Sequence, residues 1–375
     1  MQTTLKAVAI LFSLVSGNAL YAQAAATGSA GSPDVLLFRN GEKLMGQLQS
    51  ATGSTVTFKS EMAGVITVEW AKVQELQTSG NFAVVPKGVL LNHSGDASKV
   101  ARGTISVKEN QVEITTKQGA PQKVPVQDLS NVVNAAAFDN AFKRQSFFSN
   151  WKGGATLGIS LTEATQRNQT ISSAFNAVRS VPAEDWLQLR RRTTIEFAQA
   201  YGKLSEPNVP SVKTNLAHAG VEQDWYVKPR IFVFARAVFD HNFSQGLDLQ
   251  QRYGGGLGFV VLKRVDEELD FKASVDYIDQ RFRISSLDQQ LIGSSFSETY
   301  TKTFPRRILF SEQAGFIPAW NNTNAYSAFA SAAITFPVYR HFGLTVAALD
   351  TFLNNPPPTF KKNSFQLTVG ATYTF

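Results

Sequence analysis

The sequence predicts an all-β protein. Its larger part reads as a twelve-stranded antiparallel up-and-down transmembrane β-barrel, preceded by a small β domain made of two related repeats. Three observations carry this. Residues Ser364 to Phe375 alternate, with Phe365, Leu367, Val369, Ala371, Tyr373 and Phe375 on one face and Gln366, Thr368, Gly370, Thr372 and Thr374 on the other. Side chains two apart in a strand share a face, so this register offers one surface to lipid and one to water. From Trp151 onward the chain repeats that pattern in segments of about ten to fifteen residues separated by turns. Beyond the N-terminal segment no run of about 18 apolar residues remains, so any membrane crossing falls to strands. A soluble sandwich could end on one such strand, but it has no need of so many long ones in succession with aromatic residues toward their ends.

The N-terminal segment itself reads as a secretory signal peptide, residues 1–24. Lys6 precedes an apolar run from Ala7 to Val15, and Ala22-Gln23-Ala24 supplies small residues for cleavage. The run is too short to span a bilayer. The whole chain, at 375 residues, has room for two or three domains. A mean hydropathy of -0.12 and 17% charged residues exclude a helical membrane protein and a disordered one. The absence of cysteine excludes a lipid-anchored lipoprotein, disulfides and thiolate metal sites. The net charge of +7 does not argue for nucleic acid, because the basic residues are scattered and the chain carries an export signal.

Residues 34–134 contain the repeat. Gly46, Leu48, Val56, Phe58, Val68, Trp70, Val73 and Leu76 recur as Gly103, Ile105, Val112, Ile114, Val124, Val126, Leu129 and Val132, at a spacing of 56 residues from Val56 onward. Both copies are expected to open near an apolar pair and a turn, Leu36-Leu37 with Asn40-Gly41 and Leu90-Leu91 with Ser94-Gly95. The pattern resembles SH3-like or Sm-like small barrels. Residues 135–150 read as a linker. Phe138, Ala141, Phe142 and Gln145 fall there at helical spacing, with Lys143 and Arg144 beside them, which suits a short amphipathic helix on a membrane surface.

Residues 151–375 form the barrel. In its first strand Trp151, Ala155, Leu157, Ile159 and Leu161 oppose Lys152, Thr156, Gly158, Ser160 and Thr162; later, Leu269, Phe271, Ala273, Val275 and Tyr277 oppose Asp270, Lys272, Ser274 and Asp276. Short links are expected at Val227–Arg230, Arg264–Asp266, Pro305–Arg307 and Tyr339–Phe342, and longer polar ones at Lys203–Ser211, Phe282–Ser294 and Asn354–Asn363. Alternation of short and long links, with an even strand count, places both barrel ends and the preceding domain in the periplasm. The eighth strand, Ser295–Phe304, is the least regular, because Glu298 and Lys302 share a face with Phe296 and Tyr300.

The export signal, the segment beginning Trp151-Lys-Gly-Gly-Ala-Thr-Leu-Gly-Ile-Ser-Leu, the amphipathic meander and the ending Leu367-Thr-Val-Gly-Ala-Thr-Tyr-Thr-Phe375 resemble the YdiY-like family of salt-induced outer-membrane proteins. The resemblance covers the barrel and implies the outer membrane as location. It implies no catalytic residue. The last strand, with Tyr373 and Phe375, also resembles the C-terminal signal by which outer-membrane barrels are recognised for assembly.

No chemistry stands out. A barrel hydrolase needs Ser and His side by side, but His241 and Ser244 fall on opposite faces, His341 lies in a turn and His93 lies in the repeat domain. No two histidines are close enough to suggest a metal site, and Gly254-Gly255-Gly256 lacks the Lys-Ser/Thr of a phosphate loop. No cofactor is expected. The register instead sends Arg190, Arg192, Glu196, His218, Glu222, Asp224, Arg236, Asp240 and Arg252 into the lumen, joined by Asp270, Lys272 and Asp276, with opposite signs on neighbouring strands. These residues either plug the barrel by pairing or line a narrow pore for small polar solutes. The expected protein is therefore a monomer with a structural, stress-related or adaptor role rather than an enzyme. Its expected partners are outer-membrane lipid, the barrel-assembly machinery, and a periplasmic protein or peptidoglycan through residues 34–134.

Overall fold

A computed structural model describes residues 32–375 except 90, 92, 93, 117–119, 144, 145, 164–166, 185, 207 and 208, with backbone alone at 160–163, 167–169, 204–206 and 209–213. The signal peptide expected at 1–24 lies outside the described residues. The chain divides into two compact units.

The first unit contains β1 (Asp34–Phe38), β2 (Lys43–Ala51), β3 (Thr55–Ser60), β4 (Gly64–Glu69), β5 (Val73–Gln77), β6 (Phe82–Pro86), β7 (Ala101–Lys108), β8 (Gln111–Thr115), β9 (Gln122–Pro125) and β10 (Leu129–Asn134). The repeat is real in backbone detail. An added Cβ would strike the Lys59 carbonyl at 2.1 Å from Gly46 and the Thr115 carbonyl at 2.1 Å from Gly103, so each copy needs glycine where its second and third strands cross. The spacing between copies changes from 57 at Leu48/Ile105 to 56 at Val56/Val112, and a β-bulge between Leu48 and Ser50 absorbs the extra residue. Equivalent short helical turns, Trp70–Lys72 and Val126–Asp128, bury Trp70 and Val126.

The two copies do not close as separate small barrels. β1 pairs with β2 and β5, β6 pairs with β7 and β10, and the copies exchange strands, β5 with β7 and β10 with β2. The result is one closed six-stranded barrel in the order β1-β2-β10-β6-β7-β5, from which β3–β4 and β8–β9 extend. A copy alone would leave β2 or β7 with an open edge, and the exchange satisfies both. The common core holds matched residues of the two copies, Leu36 with Val84 and Leu76 with Val132. The opening strand of the second copy is therefore β6, with Val84-Val85, and not the expected Leu90-Leu91, which lies beyond it; Leu90 is outside the described residues.

Helix α1 (Ala135–Phe142) follows, capped by Asn134, whose Oδ1 accepts from the Ala136 and Ala137 N–H groups at 3.0 and 3.4 Å. Its Phe138 is fully buried, with the Arg102 guanidinium 5.1 Å from the ring centroid. A helix whose central aromatic is consumed by protein packing has little apolar face left to lay on a membrane.

The second unit is a closed barrel of twelve antiparallel strands in sequence order. They are β11 (Trp151–Glu163), β12 (Arg167–Val181), β13 (Arg191–Glu206), β14 (Val209–Lys228), β15 (Ile231–Asn242), β16 (Leu247–Lys263), β17 (Glu267–Phe282), β18 (Gln289–Phe304), β19 (Ile308–Ile317), β20 (Ser327–Tyr339), β21 (Phe342–Leu353) and β22 (Asn363–Thr374). β22 closes on β11 with Gly154 opposite Thr374 and Gly158 opposite Gly370. Outward positions are predominantly apolar and form a belt that includes Leu157, Phe197, Val221, Leu257, Phe271, Phe316, Val346 and Val369, with Glu298, Glu312 and Asp350 also on the outward face. No helix among the described residues is long and apolar enough to cross a membrane.

The four short links fall where the sequence puts them. Two of the three long links are shorter than expected because strands continue into them, with β13 reaching Glu206, β14 beginning at Val209 and β18 beginning at Gln289, while the link after Leu353 runs to β22 at Asn363 as expected. The alternation of lengths is incomplete, since β13 and β14 are joined by only two residues at the long-loop end and one connection at the other end is long. Residues 182–190 link β12 to β13 on the short-turn side, folded back so that Leu187 is buried. In β18, Glu298 and Lys302 do face outward. Glu267 binds Lys302 at 3.4 Å and the Tyr300 hydroxyl at 2.6 Å, near the turn end, where a polar rim is tolerated.

Candidate functional site

The lumen has two unlike walls. From β20 through β22 to β11 most inward residues are small or hydroxylated, with Phe329, Leu349 and Gln366 as larger exceptions. Thr335, Thr345, Thr372 and Thr156 bind hydroxyl to hydroxyl at 2.8, 2.5 and 2.7 Å. From β13 to β17 the wall is charged. Away from its rims, and among the described residues, it carries seven carboxylates, Glu196, Glu222, Asp224, Asp240, Glu268, Asp270 and Asp276, against four cations, Arg192, Arg236, Arg252 and Lys272, with His218 among them.

Part of this wall pairs across adjacent strands. Arg192 and Asp224 are register partners and bond at 2.7 Å; so are His218 and Asp240, at 2.7 Å, with Glu196 3.4 Å from the other ring nitrogen of His218. Other pairs skip strands. Glu222 and Arg236 are register partners, yet Arg236 binds Asp276 at 3.1 Å and Ser274 at 2.9 Å on β17, while Glu222 of β14 binds Lys272 of β17. Arg192 reaches furthest, from β13 to Glu268 at 2.7 Å and Asp270 at 2.6 Å on β17.

Glycine makes these reaches possible. Between β15 and β17, strand β16 turns Gly254, Gly256 and Gly258 inward. A Cβ would meet Asp276 Oδ1 at 1.6 Å from Gly254 and the Phe232 ring at 2.0 Å from Gly258. The bare strand is a trough over which side chains from β13, β14 and β15 cross to β17. Its floor is aromatic, with Phe232, Phe234 and Val260 buried together. The Arg192 guanidinium lies 5.3 Å from the Phe232 centroid and 5.8 Å from that of Tyr226, and Arg236 lies 5.6 Å from that of Phe234.

Of the residues that the sequence sends inward, Arg192, Glu196, His218, Glu222, Asp224, Arg236 and Asp240 join this network, and Arg252 is buried at 6% exposure among them. Arg190 does not belong to it as a strand residue. β13 starts at Arg191, and Arg190 ends the folded-back connection, its N–H bonded to the Val181 carbonyl and its carbonyl to the Tyr226 N–H, each at 2.9 Å. Glu268 and the aromatic floor escaped sequence reading. Their signal was the glycine run, which in a strand marks a place where other groups come close.

At the long-loop end the lumen is crossed by a second set of bonds. Gln245, in the turn Phe243–Gln245 after β15, donates from Nε2 to the carbonyls of Thr351 and Lys362 at 3.0 and 2.8 Å, and Asn242 reaches the Thr351 hydroxyl at 3.3 Å. Those partners belong to β21 and the loop before β22, on the opposite side of the barrel. Phe360 of that loop packs on Gly246, and Leu247, Phe282 and Leu353 fill the space together.

Of the histidines, His241 Nδ1 lies 2.7 Å from the Asp248 carbonyl and His341 Nδ1 lies 3.0 Å from that of Thr374, while His93 is outside the described residues. Tyr373 faces outward and packs edge-on to Phe342 at 5.3 Å, and Phe375 stacks on Phe175 at 6.0 Å.

Among solved structures the chain is similar to an outer membrane channel from Pseudomonas putida, with 11% identity, coverage of 62% of this chain and 100% of that one, and a TM-score of 0.35. It is also similar to the β domain of the Bordetella autotransporter BrkA, with 8% identity, coverage of 60% and 97%, and a TM-score of 0.30. A third likeness is to the CymD monoaromatic hydrocarbon channel, with 8% identity, coverage of 79% and 86%, and a TM-score of 0.27. At such scores these likenesses carry no conclusion about activity. No curated protein matches the chain in sequence. By its closed meander and apolar outer belt the large unit is a β-barrel of outer-membrane type, and residues 155–375 match the model of a family described as proteins of unknown function. The chain thus belongs to that family, DUF481.

Proposed function

We propose that the protein is an outer-membrane barrel held closed by its own side chains, which anchors its N-terminal β domain on the periplasmic side for an adaptor or stress-related role and catalyses no reaction. The observation that carries this reading is the double closure of the lumen. Arg192 and Arg236 cross to β17 within the barrel, and the Gln245 turn is tied to Thr351 and Lys362 across the mouth. Side chains tied across the lumen at two levels favour one closed state and leave little room for a continuous water path. The N-terminal unit, with its own core and its outlying β3–β4 and β8–β9 hairpins, supplies the surface for a periplasmic protein or peptidoglycan.

Single-channel recording in planar bilayers tests the closure. The intact protein is expected to give no steady conductance. Sustained open events would overturn the closed reading and favour the second one, a narrow channel for small polar solutes, which the hydroxyl-lined wall opposite the charged one supports. Co-sedimentation of the folded protein with purified peptidoglycan tests the adaptor role on its peptidoglycan arm, and cross-linking in whole cells tests the protein arm.

A further inference from the structure

Arg192 is bound by Asp224, Glu268 and Asp270, so one positive charge faces three negative ones at the turn end of the barrel. The neighbouring cations are engaged elsewhere, Arg236 with Asp276 and Lys272 with Glu222. Asp224 and Asp270 are 0% and 3% exposed, and each uses only Oδ2 on the arginine. Their Oδ1 atoms, and the hydroxyl of Tyr226 whose ring lies over Arg192, are buried without a hydrogen-bond partner. A buried acceptor without a donor is destabilising, and more so when it is charged.

We infer that this cluster is a binding site for a primary ammonium group. Such a group brings one positive charge to a site that has an excess of negative charge. It also brings three N–H donors to a site with three unused oxygens, and the Tyr226 ring beside them offers an aromatic surface for its charge. A caged metal ion suits the cluster less well, since the described residues contain no group of three or more His, Cys, Asp or Glu placed to hold one. Glu268, with 31% of its side chain exposed against 4% for Asp270, marks the side from which the ligand arrives. The inference does not depend on whether the barrel conducts.

Calorimetric titration of the full-length protein folded in detergent micelles, at constant ionic strength, tests it with propylammonium against tetramethylammonium, which carries an equal charge and no N–H. Propylammonium is expected to bind saturably at one site, and tetramethylammonium is not. Asp270→Asn is expected to weaken propylammonium by about tenfold or more, and Tyr226→Phe by about three- to tenfold. Tyr226→Phe leaves every ion pair in place, so it keeps the test valid should Asp270→Asn fail to fold, with heat-modifiable gel migration reporting the folded state. No saturable propylammonium heat, equal binding of both cations, or undiminished binding by folded Tyr226→Phe would each overturn the site.

Discussion

The hydroxyls of Thr156 and Thr372 lie 2.7 Å apart where the first strand of the large barrel meets the last. Thr372 is shared, since the Thr345 hydroxyl is 2.5 Å away on the other side, and both Thr345 and Thr372 are buried. Thr372→Val keeps the shape and removes the bond to each neighbour. Losing both bonds, which leaves Thr156 without its hydroxyl partner and Thr345 with Thr335 alone, is expected to cost about 1–3 kcal/mol, read as a lower urea midpoint followed by tryptophan fluorescence. Thr372→Ser should restore most of it. The seam has fewer paired residues than the β11–β12 ladder, so closure is where the loss falls.

Phe375 sits at the same seam. Its N–H and carbonyl bond to Gly153 at 3.0 and 3.1 Å, and its ring stacks on Phe175 at 6.0 Å. Phe375→Asp removes the stacking and sets a carboxylate beside the apolar belt. The expected outcome is a lower yield and slower appearance of the heat-modifiable folded form on refolding into vesicles. A folding yield equal to that of the parent protein would remove Phe375 from the assembly signal.

Much of the barrel was legible because a strand with lipid on one side and a lumen on the other must alternate, and Leu269 to Tyr277 does so without a break. The repeat was legible for a related reason: Val56/Val112 and Trp70/Val126 occupy equivalent core positions at constant spacing. What spacing does not encode is which copy a strand pairs with. Glu75 could face its own copy or, as it does, Lys108 of the other. In the lumen, alternation identified the inward charges Arg236 and Glu222 but implied that these register partners would bind each other. The side-chain-free face of β16 between β15 and β17 redirected both, and a long-range reach of that kind is a property of the closed barrel rather than of any strand.

The glycine trough therefore makes a sharp contrast. Gly256 faces inward, and a Cβ there would lie 1.9 Å from the Ala273 carbonyl, a backbone atom; Gly255 faces outward and would meet only the Phe234 carbonyl at 3.1 Å. Gly256→Ala is expected to destabilise the barrel by about 1–3 kcal/mol or more through displaced backbone, with Gly255→Ala much milder. Urea unfolding of the two variants side by side measures the difference, and equal effects would mean the trough can widen without loss.

Lys108 and Glu75 make the one charged link within the β5–β7 pairing, 3.1 Å apart. The hydrogen bond from Lys108 holds the Glu75 carboxyl below its ordinary range. A carboxyl with a depressed folded value contributes stability above its unfolded value, and that contribution is lost as pH falls through the folded one. The link should hold at neutral pH and fail only in acid, below the ordinary glutamate range. Both side chains are partly solvated, so the effect on stability is small and salt-sensitive. Side-chain carbon NMR of the full chain should show Glu75 titrating at higher pH in Lys108→Met than in the parent.

The mouth of the barrel hinges on Gly246. Its φ of +67° lies in the left-handed region, and a Cβ there would come within 2.8 Å of the Phe360 ring. Gly246→Val must adopt a conformation that costs roughly 1–2 kcal/mol for a residue with a Cβ, and more when β-branched, and must also push Phe360 away. Lifting that ring draws the loop 354–362 with it, so Gln245 loses the Lys362 carbonyl at 2.8 Å and the tie across the mouth loosens. In planar bilayers Gly246→Val is expected to show brief open events that the parent protein lacks. Phe360→Ser, which removes the packing without straining the turn, should show the same events at lower frequency. If neither variant opens, the constriction is set lower in the lumen, where Arg192 and Arg236 cross to β17, and combining Gly246→Val with Arg236→Met should then open it.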